Sequence, residues 1–306
     1  MDQQTSGAEI SAKKSDTTPG LLGIACGLGA ALFWALGFVA TRHGLKAGFT
    51  PVDLLMHRFL WSGIVFLPFV FRAGLHDLCG IGWGRGMALM VLGGPVMSLI
   101  SYAGFMFVPL GHGSVIQPSC ATLGGLLFAA LLLKERISPS RLVGALVIVA
   151  GLGVIGGESI AHIGLDGVQG DLIFVLTGLM FAGFATLVRY WRVSAVSAAL
   201  VISVLSLLLF PVYAATGGLS RLASIGLHEN ALQAFGQGIL AGPAAMYLFT
   251  ASIQHLGVAR AAIFPATVPA LTLLFGWLLL GEPPTALQMA GLGTVLLGFY
   301  LAQRQR

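Results

Sequence analysis

Long apolar stretches separated by short polar segments dominate the chain. The first runs from residue 20 to residue 40, long enough to cross a hydrocarbon core of about 30 Å at about 1.5 Å per residue. Nine more stretches follow, at about 51–71, 86–108, 113–133, 140–157, 170–188, 194–216, 230–254, 258–280 and 285–302. Their uniform apolarity does not match the alternating pattern of barrel strands. We predict an all-α polytopic membrane protein with ten transmembrane helices.

The segments that flank the stretches carry helix-start signals. Thr50 precedes Pro51 and Asp53, which predicts an N-cap, a proline in the first turn and an acid at the third position. Ser138 stands before Pro139 in the same way. Residues 1–19 are polar and predict a flexible cytoplasmic tail. The first apolar stretch is longer than a signal peptide's and predicts a retained span.

Composition supports a membrane protein and excludes other classes. Of 306 residues, 57% are apolar and only 9% are charged, with a mean hydropathy of +0.92; a soluble domain carries about 25% charged residues. The net charge of +5 is scattered, so no basic block predicts nucleic-acid binding. Cys26, Cys79 and Cys120 give neither a disulfide framework nor a zinc pattern. We expect no cofactor and no metal.

The distribution of Lys and Arg predicts the orientation. With a cytoplasmic N-terminus, twelve lie inside: Lys13, Lys14, Arg72, Arg85, Lys134, Arg136, Arg141, Arg189, Arg192, Arg260, Arg304 and Arg306. Three lie outside: Arg42, Lys46 and Arg221. We therefore expect a multi-pass protein of a bacterial-type inner (plasma) membrane with both termini in the cytoplasm.

The chain also repeats itself at a spacing of 147 residues. Leu132-Leu133-Lys134-Glu135 recurs as Leu279-Leu280-Gly281-Glu282, and Pro118, Gly144 and Gly151 recur as Pro265, Gly291 and Gly298. With a slip of one residue, Gly94-Pro95 recurs as Gly242-Pro243. Each half, residues 20–157 and 170–302, holds five spans. Because five is odd, the second half is inverted in the membrane, which is the architecture of many secondary transporters.

These features together resemble a known family. A first span that contains Trp34 and ends in Arg42, a second span with Pro51 and Arg58, and the doubled Leu-Leu-x-Glu closings resemble the drug/metabolite transporter superfamily, in its ten-helix EamA-type branch. The resemblance covers about residues 20–302. It implies a secondary exporter of small metabolites with a central cavity between the two repeats. Amino-acid exporters, including aromatic amino-acid exporters, are prominent members.

Helix breaks at matching positions in two halves are the best sequence pointer to a transport site. A broken helix is tolerated in lipid only where its backbone faces protein or a cavity. The candidates are Gly94, Pro95, Pro118, Gly242, Pro243 and Pro265. The alternative is that they are kinks that serve helix packing. We expect spans one, three, four, six, eight and nine to line the cavity. Spans five and ten, with glycine faces at i, i+7 spacing, would pack at the periphery.

Polar and aromatic residues near these breaks are the candidate substrate contacts. They are Trp34, His57, Ser98, Tyr102, Gln117, Met246, Tyr247 and Phe264. The alternatives are ordinary: serines bond to their own helix, Tyr and Trp anchor at membrane interfaces, and His57 is a packing histidine rather than a proton carrier. Arg58 could hold a substrate carboxylate, or snorkel outward or pair with Asp53. Glu135 and Glu282 sit at span ends, where we expect them to cap helices or pair with nearby cations.

The six cavity spans contain no charged residue at mid-depth. This argues against exchange of organic cations for protons at a buried carboxylate and predicts little obligatory proton coupling. A neutral, aromatic-rich cavity suits zwitterions, so we expect export of neutral or aromatic amino acids by a monomer whose partners are a small-molecule substrate and the lipid bilayer. A multidrug or organic-cation exporter is the alternative. An intramembrane enzyme or a scaffold is disfavoured, because no catalytic cluster is found and a scaffold needs no inverted halves.

Overall fold

The computed structural model describes residues 17–74, 76–261 and 263–303, and these ranges form helices and short turns without strands. Residues 1–16 of the predicted tail, with Lys13 and Lys14, lie outside the described residues, as do Arg304 and Arg306. The first half comprises α1 (Thr17–Lys46), α2 (Pro51–Ala73), α3 (Trp83–Gly93), α4 (Pro95–Gly104), α5 (Leu110–Leu132) and α6 (Pro139–Glu158), which continues as a π-helical turn (Ser159–Ile163).

The second half has the same helical character. Its elements are α7 (Leu165–Tyr190), α8 (Ala195–Ser206) with a 3₁₀ turn (Leu207–Leu209), α9 (Phe210–Ala215), α10 (Gly218–Ile225), α11 (Leu227–Gln233), a π-helical segment (Ala234–Ala244), α12 (Ala245–Leu256), α13 (Val258–Ala261), α14 (Ile263–Leu280) and α15 (Ala286–Gln303). Within the described residues, nine helical stretches are long and apolar enough to span a membrane. The predicted stretch at 230–254 is covered by α11, the π-helical segment and α12.

The predicted helix starts are confirmed. Thr50 caps α2 by accepting a hydrogen bond from the Asp53 backbone N–H, and the Asp53 carboxylate accepts one from the Thr50 N–H in return. Ser138 caps α6 by accepting from the Arg141 N–H. Each cap satisfies a backbone group that the first turn of a helix leaves unpaired.

Two of the four candidate breaks form where they were expected. Gly94 leaves helical geometry (φ −118°, ψ −137°) between α3 and α4, and Gly242 does the same (φ −93°, ψ −105°) in the π-helical segment. At the third position α5 continues through Pro118. At the fourth, Pro265 lies in the first turn of α14, whose described residues begin at Ile263. A proline is tolerated in a first turn because its missing N–H would have no helical partner there.

The spans assemble into two groups that face each other. The α1 group contains α1, the π-helical segment, α12 and α14, and the α5 group contains α3, α4, α5 and α7. These groups consist of the six spans that the sequence assigns to the cavity. α2 packs on both the π-helical segment and α8, and α8 packs on α3, so this pair joins the groups along one side.

Helices α6 and α15 pack mainly on each other through four glycines. A Cβ at Gly144 would lie 2.6 Å from the Gly298 carbonyl oxygen, and a Cβ at Gly151 would lie 2.9 Å from the Gly291 carbonyl oxygen. The two backbones therefore approach as closely as small residues allow. The glycine-mediated contact expected from the sequence is confirmed.

This contact predicts a contrast between two glycines of α6. Gly144→Ala forces a methyl group into the α15 backbone, and we expect it to lower the stability by about 1–3 kcal/mol, as overpacking does. Gly153 has open space around its would-be Cβ, so Gly153→Ala should raise stability by up to about 1 kcal/mol, because alanine favours helix. Thermal unfolding of both variants in one detergent measures the contrast. Equal midpoints would contradict the tight contact.

Candidate functional site

The helical bundle has two ends, which are named here by what lies at each of them. Arg42, Asp53 and Glu282 lie at one, called here the Arg42 end, and α1 begins and α15 finishes at the other, called the terminal end. Across the described residues, every hydrogen bond and ring contact between the α1 group and the α5 group lies on the Arg42 side of Trp34. The described hydrogen bonds and ring contacts therefore join the two groups toward the Arg42 end.

An aromatic cluster forms on the α1 group, toward the terminal end. Trp34 lies half-buried with its ring 5.2 Å from that of Phe249. It packs against a core that contains Ala31, Ala35 and Phe264. Phe264 fills the space beside Gly27, so α1 and α14 touch through this ring. The structure thus brings together two of the predicted substrate residues, Trp34 and Phe264.

A buried polar layer lies one helical turn nearer the Arg42 end. The Tyr102 hydroxyl of α4 donates to Gln237 Oε1 over 3.4 Å. Gln237 Nε2 in turn donates to the Gly37 carbonyl at 2.9 Å and to Thr41 Oγ1 at 2.5 Å. Gly37 is three residues from Trp34, a rise of about 4.5 Å. Tyr102 therefore joins the α5 group to the α1 group directly beside the aromatic cluster.

The neighbouring polar residues of the α5 group are also held in place. Ser98 is buried on α4, and Ser101 donates from its hydroxyl to Gln117 Oε1 over 3.1 Å. Gln117 is half-buried on α5. Predicted residues Ser98, Tyr102 and Gln117 therefore lie on adjoining helices of one group.

Arg58 brings a positive charge close to this polar layer. It is half-buried on α2, and its guanidinium lies near the Tyr102 hydroxyl. Asp53, the partner considered from the sequence, is instead fully buried and accepts hydrogen bonds from Tyr213 at 2.7 Å and from Arg221 at 3.1 Å. In the part of the chain that the structure describes, no carboxylate forms an ion pair with Arg58.

His57 has a different environment from Arg58. Its ring is buried, Nε2 lies 3.0 Å from Asn230 Oδ1, and Nδ1 accepts from the Trp61 indole N–H over 3.3 Å. The edge of the ring also meets Phe49. With both nitrogens partnered, these contacts favour the packing role that the sequence left open.

One predicted residue of α12, Tyr247, lies away from the cluster. Leu248 faces Gly29 and Phe249 faces Trp34, so one side of α12 packs on α1. Tyr247 projects on the opposite side and is 74% exposed, because successive helical residues are turned by about 100°. Met246 is half-buried beside it. The structure does not bring Tyr247 together with Trp34 and Phe264.

Ion pairs close the Arg42 end. Arg42 donates to Glu282 Oε1 at 2.9 Å and to the Phe105 carbonyl at 2.6 Å, and Lys46 Nζ lies 2.7 Å from the same Glu282 oxygen. Phe105 also meets the Phe38 ring at 6.0 Å. At the terminal end Glu135 pairs with Arg189. The expectation that both glutamates pair with nearby cations is confirmed.

Comparison with known proteins identifies the family to which this helical chain is similar. The model of the EamA-like transporter family matches residues 21–157 and again residues 168–303. The chain belongs to the EamA-like transporter family. The family indicates a membrane transporter rather than an enzyme, and the coarse expectation from the sequence is thereby confirmed.

Relatives agree with the family. An "Uncharacterized transporter" of Archaeoglobus fulgidus is 27% identical over 288 residues, which cover 90% of this chain and 96% of the relative. A solved crystal structure of another protein matches 94% of this EamA-like chain and 97% of its own, at 22% identity and a TM-score of 0.54. That likeness shows a shared fold.

Sequence reasoning missed Gln237, which connects most of the polar layer of this EamA-like transporter. Its signal was available: Gln233 and Gln237 are amides four residues apart, at the start of an otherwise apolar span. Both are buried, and Gln233 Nε2 donates to the Ala40 carbonyl at 2.9 Å. The pair binds the π-helical segment to the final turns of α1.

The ion pairs at the Arg42 end predict a dependence on pH. Burial raises the pKa of Glu282, but hydrogen bonds from Lys46 and Arg42 outweigh it and hold its pKa below the ordinary value. Because the pKa is lowered, the ion pairs contribute their full stabilisation at pH values above the ordinary pKa of a glutamate, about 4.3. This stabilisation is lost as the pH falls through the lowered pKa. The thermal unfolding midpoint of the parent should therefore lie above that of Glu282→Gln at neutral pH, and the two midpoints should converge in acid. A constant difference at all pH values would contradict the pairing.

Proposed function

We propose that this protein is a secondary carrier that exports small amino acids, with a preference for neutral ones that bear large apolar or aromatic side chains. It would work by alternating access through a cavity between two inverted five-helix repeats, residues 20–157 and 170–302. Its partners would be the small-molecule substrate and the lipid bilayer, and it would act as a monomer in a bacterial-type inner membrane.

The observation that carries the proposal is the position of Arg58. A positive charge without a carboxylate partner among the described residues, next to Tyr102 and close to the polar layer, offers a place for the carboxylate of a substrate. Arg58 belongs to a membrane span, where an ionisable residue is a functional hypothesis by default. Arg58 would bind the substrate carboxylate in a charge-assisted contact.

The other groups of a zwitterionic amino acid also find partners nearby. The breaks at Gly94 and Gly242 free backbone carbonyls from the helical ladder, and carbonyls accept hydrogen bonds from an ammonium group. Trp34 and Phe264 supply apolar surface toward the terminal end. A contact with one aromatic ring adds about 0.5–1.5 kcal/mol beyond burial, so the preference for bulky side chains should be only several-fold.

Closure at the Arg42 end supports alternating access. The ion pairs of Glu282 and the Phe38–Phe105 contact lie at the Arg42 end, where the two groups meet. Two repeats of opposite orientation provide a second state of similar energy, in which the other end closes. In the proposed orientation the terminal end is cytoplasmic, so the substrate would enter from the cytoplasm in the state described here.

Flux into proteoliposomes tests the function. Purified protein is reconstituted, and the uptake of radiolabelled phenylalanine, alanine and a quaternary ammonium compound is measured with unlabelled substrate inside. We expect phenylalanine to exchange several-fold faster than alanine and to be recovered from inside the vesicles chemically unchanged. Flux of the quaternary ammonium compound alone would identify an organic-cation exporter. A converted product would identify an enzyme.

The orientation has its own test in intact cells. Thr285 follows Glu282 in the loop before α15, which the proposal places outside. A Thr285→Cys variant that lacks the native cysteines should react with a membrane-impermeant maleimide added to cells. A Ser140→Cys variant, placed on the cytoplasmic side, should react only after the cells are opened. The reverse pattern would overturn the topology.

A further inference from the structure

Three ionisable side chains meet in a buried cluster at the Arg42 end, apart from Arg58 and the aromatic cluster. His112 of α5 is fully buried, and its Nδ1 lies 2.9 Å from Asp171 Oδ1 of α7. Its Nε2 lies 3.6 Å from Oε2 of Glu158, which is 5% exposed at the end of α6. The hydroxyl of Ser159 donates to Asp171 Oδ2 at 2.5 Å, and Gln288 Nε2 of α15 donates to Glu158 Oε1 at 3.2 Å.

The hydrogen bonds leave one place for a proton. Asp171 accepts from His112 Nδ1, so in a neutral imidazole the other nitrogen, Nε2, carries only a lone pair. That lone pair faces Glu158 Oε2, and within the described residues neither atom has a hydrogen-bond partner. Two buried acceptors that face each other are unfavourable, and one proton between them would give a charge-assisted hydrogen bond once the two atoms close from 3.6 Å.

The charge balance of the cluster also indicates a bound proton. With His112 neutral, Glu158 and Asp171 would bring two negative charges into a buried site, which is unfavourable without compensation. Helices α14 and α15 face the cluster with uncharged residues over their described lengths. Arg42 of α1 is held by Glu282 and the Phe105 carbonyl. His162 and Asp166, on the neighbouring turns, are exposed. Among the described groups, an added proton is the compensation that remains.

A cavity adjoins the cluster at the Arg42 end. A cavity of about 370 Å³ is lined by Glu158 and Gln288 together with Arg42 and Glu282, so it connects the cluster to the Arg42 end. His112 lies in the first turn of α5. In the same turn Leu110 packs against Gly276 of α14, and a Cβ at Gly111 would lie 2.8 Å from Leu273. The position of His112 is thus tied to the contact between the α5 group and the α1 group.

We propose that His112 and Glu158 form a proton-binding site, reached from the Arg42 end, whose occupation holds the first turn of α5 against α14 and so couples transport to protons. Loss of the proton leaves two facing acceptors, loosens that turn and favours opening of the Arg42 end. The coupling rests on the proposed carrier function, whereas the proton-controlled opening does not. It departs from the expectation of little proton coupling, which rested on the absence of a charged residue at mid-depth in the cavity spans.

Thiol labelling tests the opening without any substrate. Leu110 is buried at the contact, so a Leu110→Cys variant without the native cysteines reacts with an impermeant maleimide only when the Arg42 end opens. Rates are divided by those of an exposed Ser220→Cys variant, which corrects for the pH dependence of the thiol. We expect about a threefold or greater rise in normalised rate from about pH 5.5 to about pH 7.5, because loss of the proton favours opening.

Substitutions assign the effect to the cluster. His112→Gln and Glu158→Gln should each flatten this profile, and Glu158→Gln keeps the size of the side chain in case the histidine variant fails to fold. His228→Gln, at an exposed position of the same end, should leave the profile as in the parent. A flat profile in the parent, or an unchanged one in both cluster variants, would overturn the proposal.

A proton-sensitive dye inside proteoliposomes separates this proposal from the proposed substrate. We expect phenylalanine exchange to move protons in the parent and not in Glu158→Gln. Phenylalanine flux without proton movement and with flat labelling would refute the proton site and leave the carrier function standing. Labelling that depends on His112, in a protein that moves no amino acid, would refute the substrate and leave the proton site standing.

Discussion

Arg58→Gln should reduce phenylalanine flux in proteoliposomes at least tenfold while the protein remains folded. Arg58 has no carboxylate partner among the described residues, so under the proposed function its removal takes away a contact with the substrate rather than an internal ion pair. A hydrogen bond to a charged group contributes about 1.5–3 kcal/mol, and each 1.4 kcal/mol is about a factor of ten. Arg58→Lys keeps the charge but loses the bidentate geometry, so its phenylalanine flux should lie between that of the parent and that of Arg58→Gln.

The matched control is Arg72→Gln, at an exposed position at the end of the same helix, which should transport like the parent. Phenethylamine sharpens the comparison because it lacks only the carboxylate. The parent should favour phenylalanine over phenethylamine, and Arg58→Gln should lose that preference. A folded Arg58→Gln variant with parental flux and parental preference would place the carboxylate elsewhere.

Asp53→Asn should cause the largest loss of stability among single conservative changes. The carboxylate is fully buried and accepts from the Thr50 N–H at 2.9 Å, the Thr50 hydroxyl at 2.7 Å and the Tyr213 hydroxyl at 2.7 Å. In asparagine one of the two carboxylate oxygens is replaced by an NH₂ group. That group cannot accept a hydrogen bond from the Thr50 or Tyr213 donors that face it. Loss of hydrogen bonds to a buried charged group costs about 1.5–3 kcal/mol, and the start of α2 is released from Tyr213 of α9.

Thermal unfolding in detergent measures this loss, and Asp77→Asn is its control. Asp77 lies in an exposed turn, where its carboxylate accepts only from the Gly80 N–H at 3.1 Å among the described groups. We expect that change to stay within about 0.5 kcal/mol, as surface substitutions do. Similar midpoints for both variants would show that Asp53 does not join these elements.

The sequence predicted most of the helical framework, because membrane spans follow from length and apolarity alone. The helix starts at Thr50 and Ser138 were equally predictable, since capping depends on residues within one turn. The breaks at Gly94 and Gly242 were predictable for the same local reason. Pro118 misled because a proline removes one hydrogen bond but does not by itself end a helix that is packed on its neighbours.

The site was less predictable, because it depends on which helix faces meet. Nothing local distinguishes Trp34, which faces Phe249, from Tyr247, which projects away from α1. His112, Glu158 and Asp171 lie on three different helices and at their ends, where acids are usually solvated. Only the packing of α5, α6 and α7 shows that all three are buried. Gln237 likewise gains its importance from partners on α1 and α4.

A reversible cross-link at the closed end tests the central claim, that transport requires the α5 group and the α1 group to separate there. A Cβ at Gly276 would lie 2.8 Å from a methyl carbon of Leu110, so a double variant that combines Leu110→Cys with Gly276→Cys can be joined by a short bifunctional methanethiosulfonate. The pair Gly124→Cys and Ala182→Cys lies at a similar contact within the α5 group and serves as control. Cross-linking the first pair should lower phenylalanine flux to less than about a tenth, since alternating access needs both states, and reductant should restore it, while the control keeps its flux. Unchanged flux through protein in which the first pair is fully cross-linked would contradict the account.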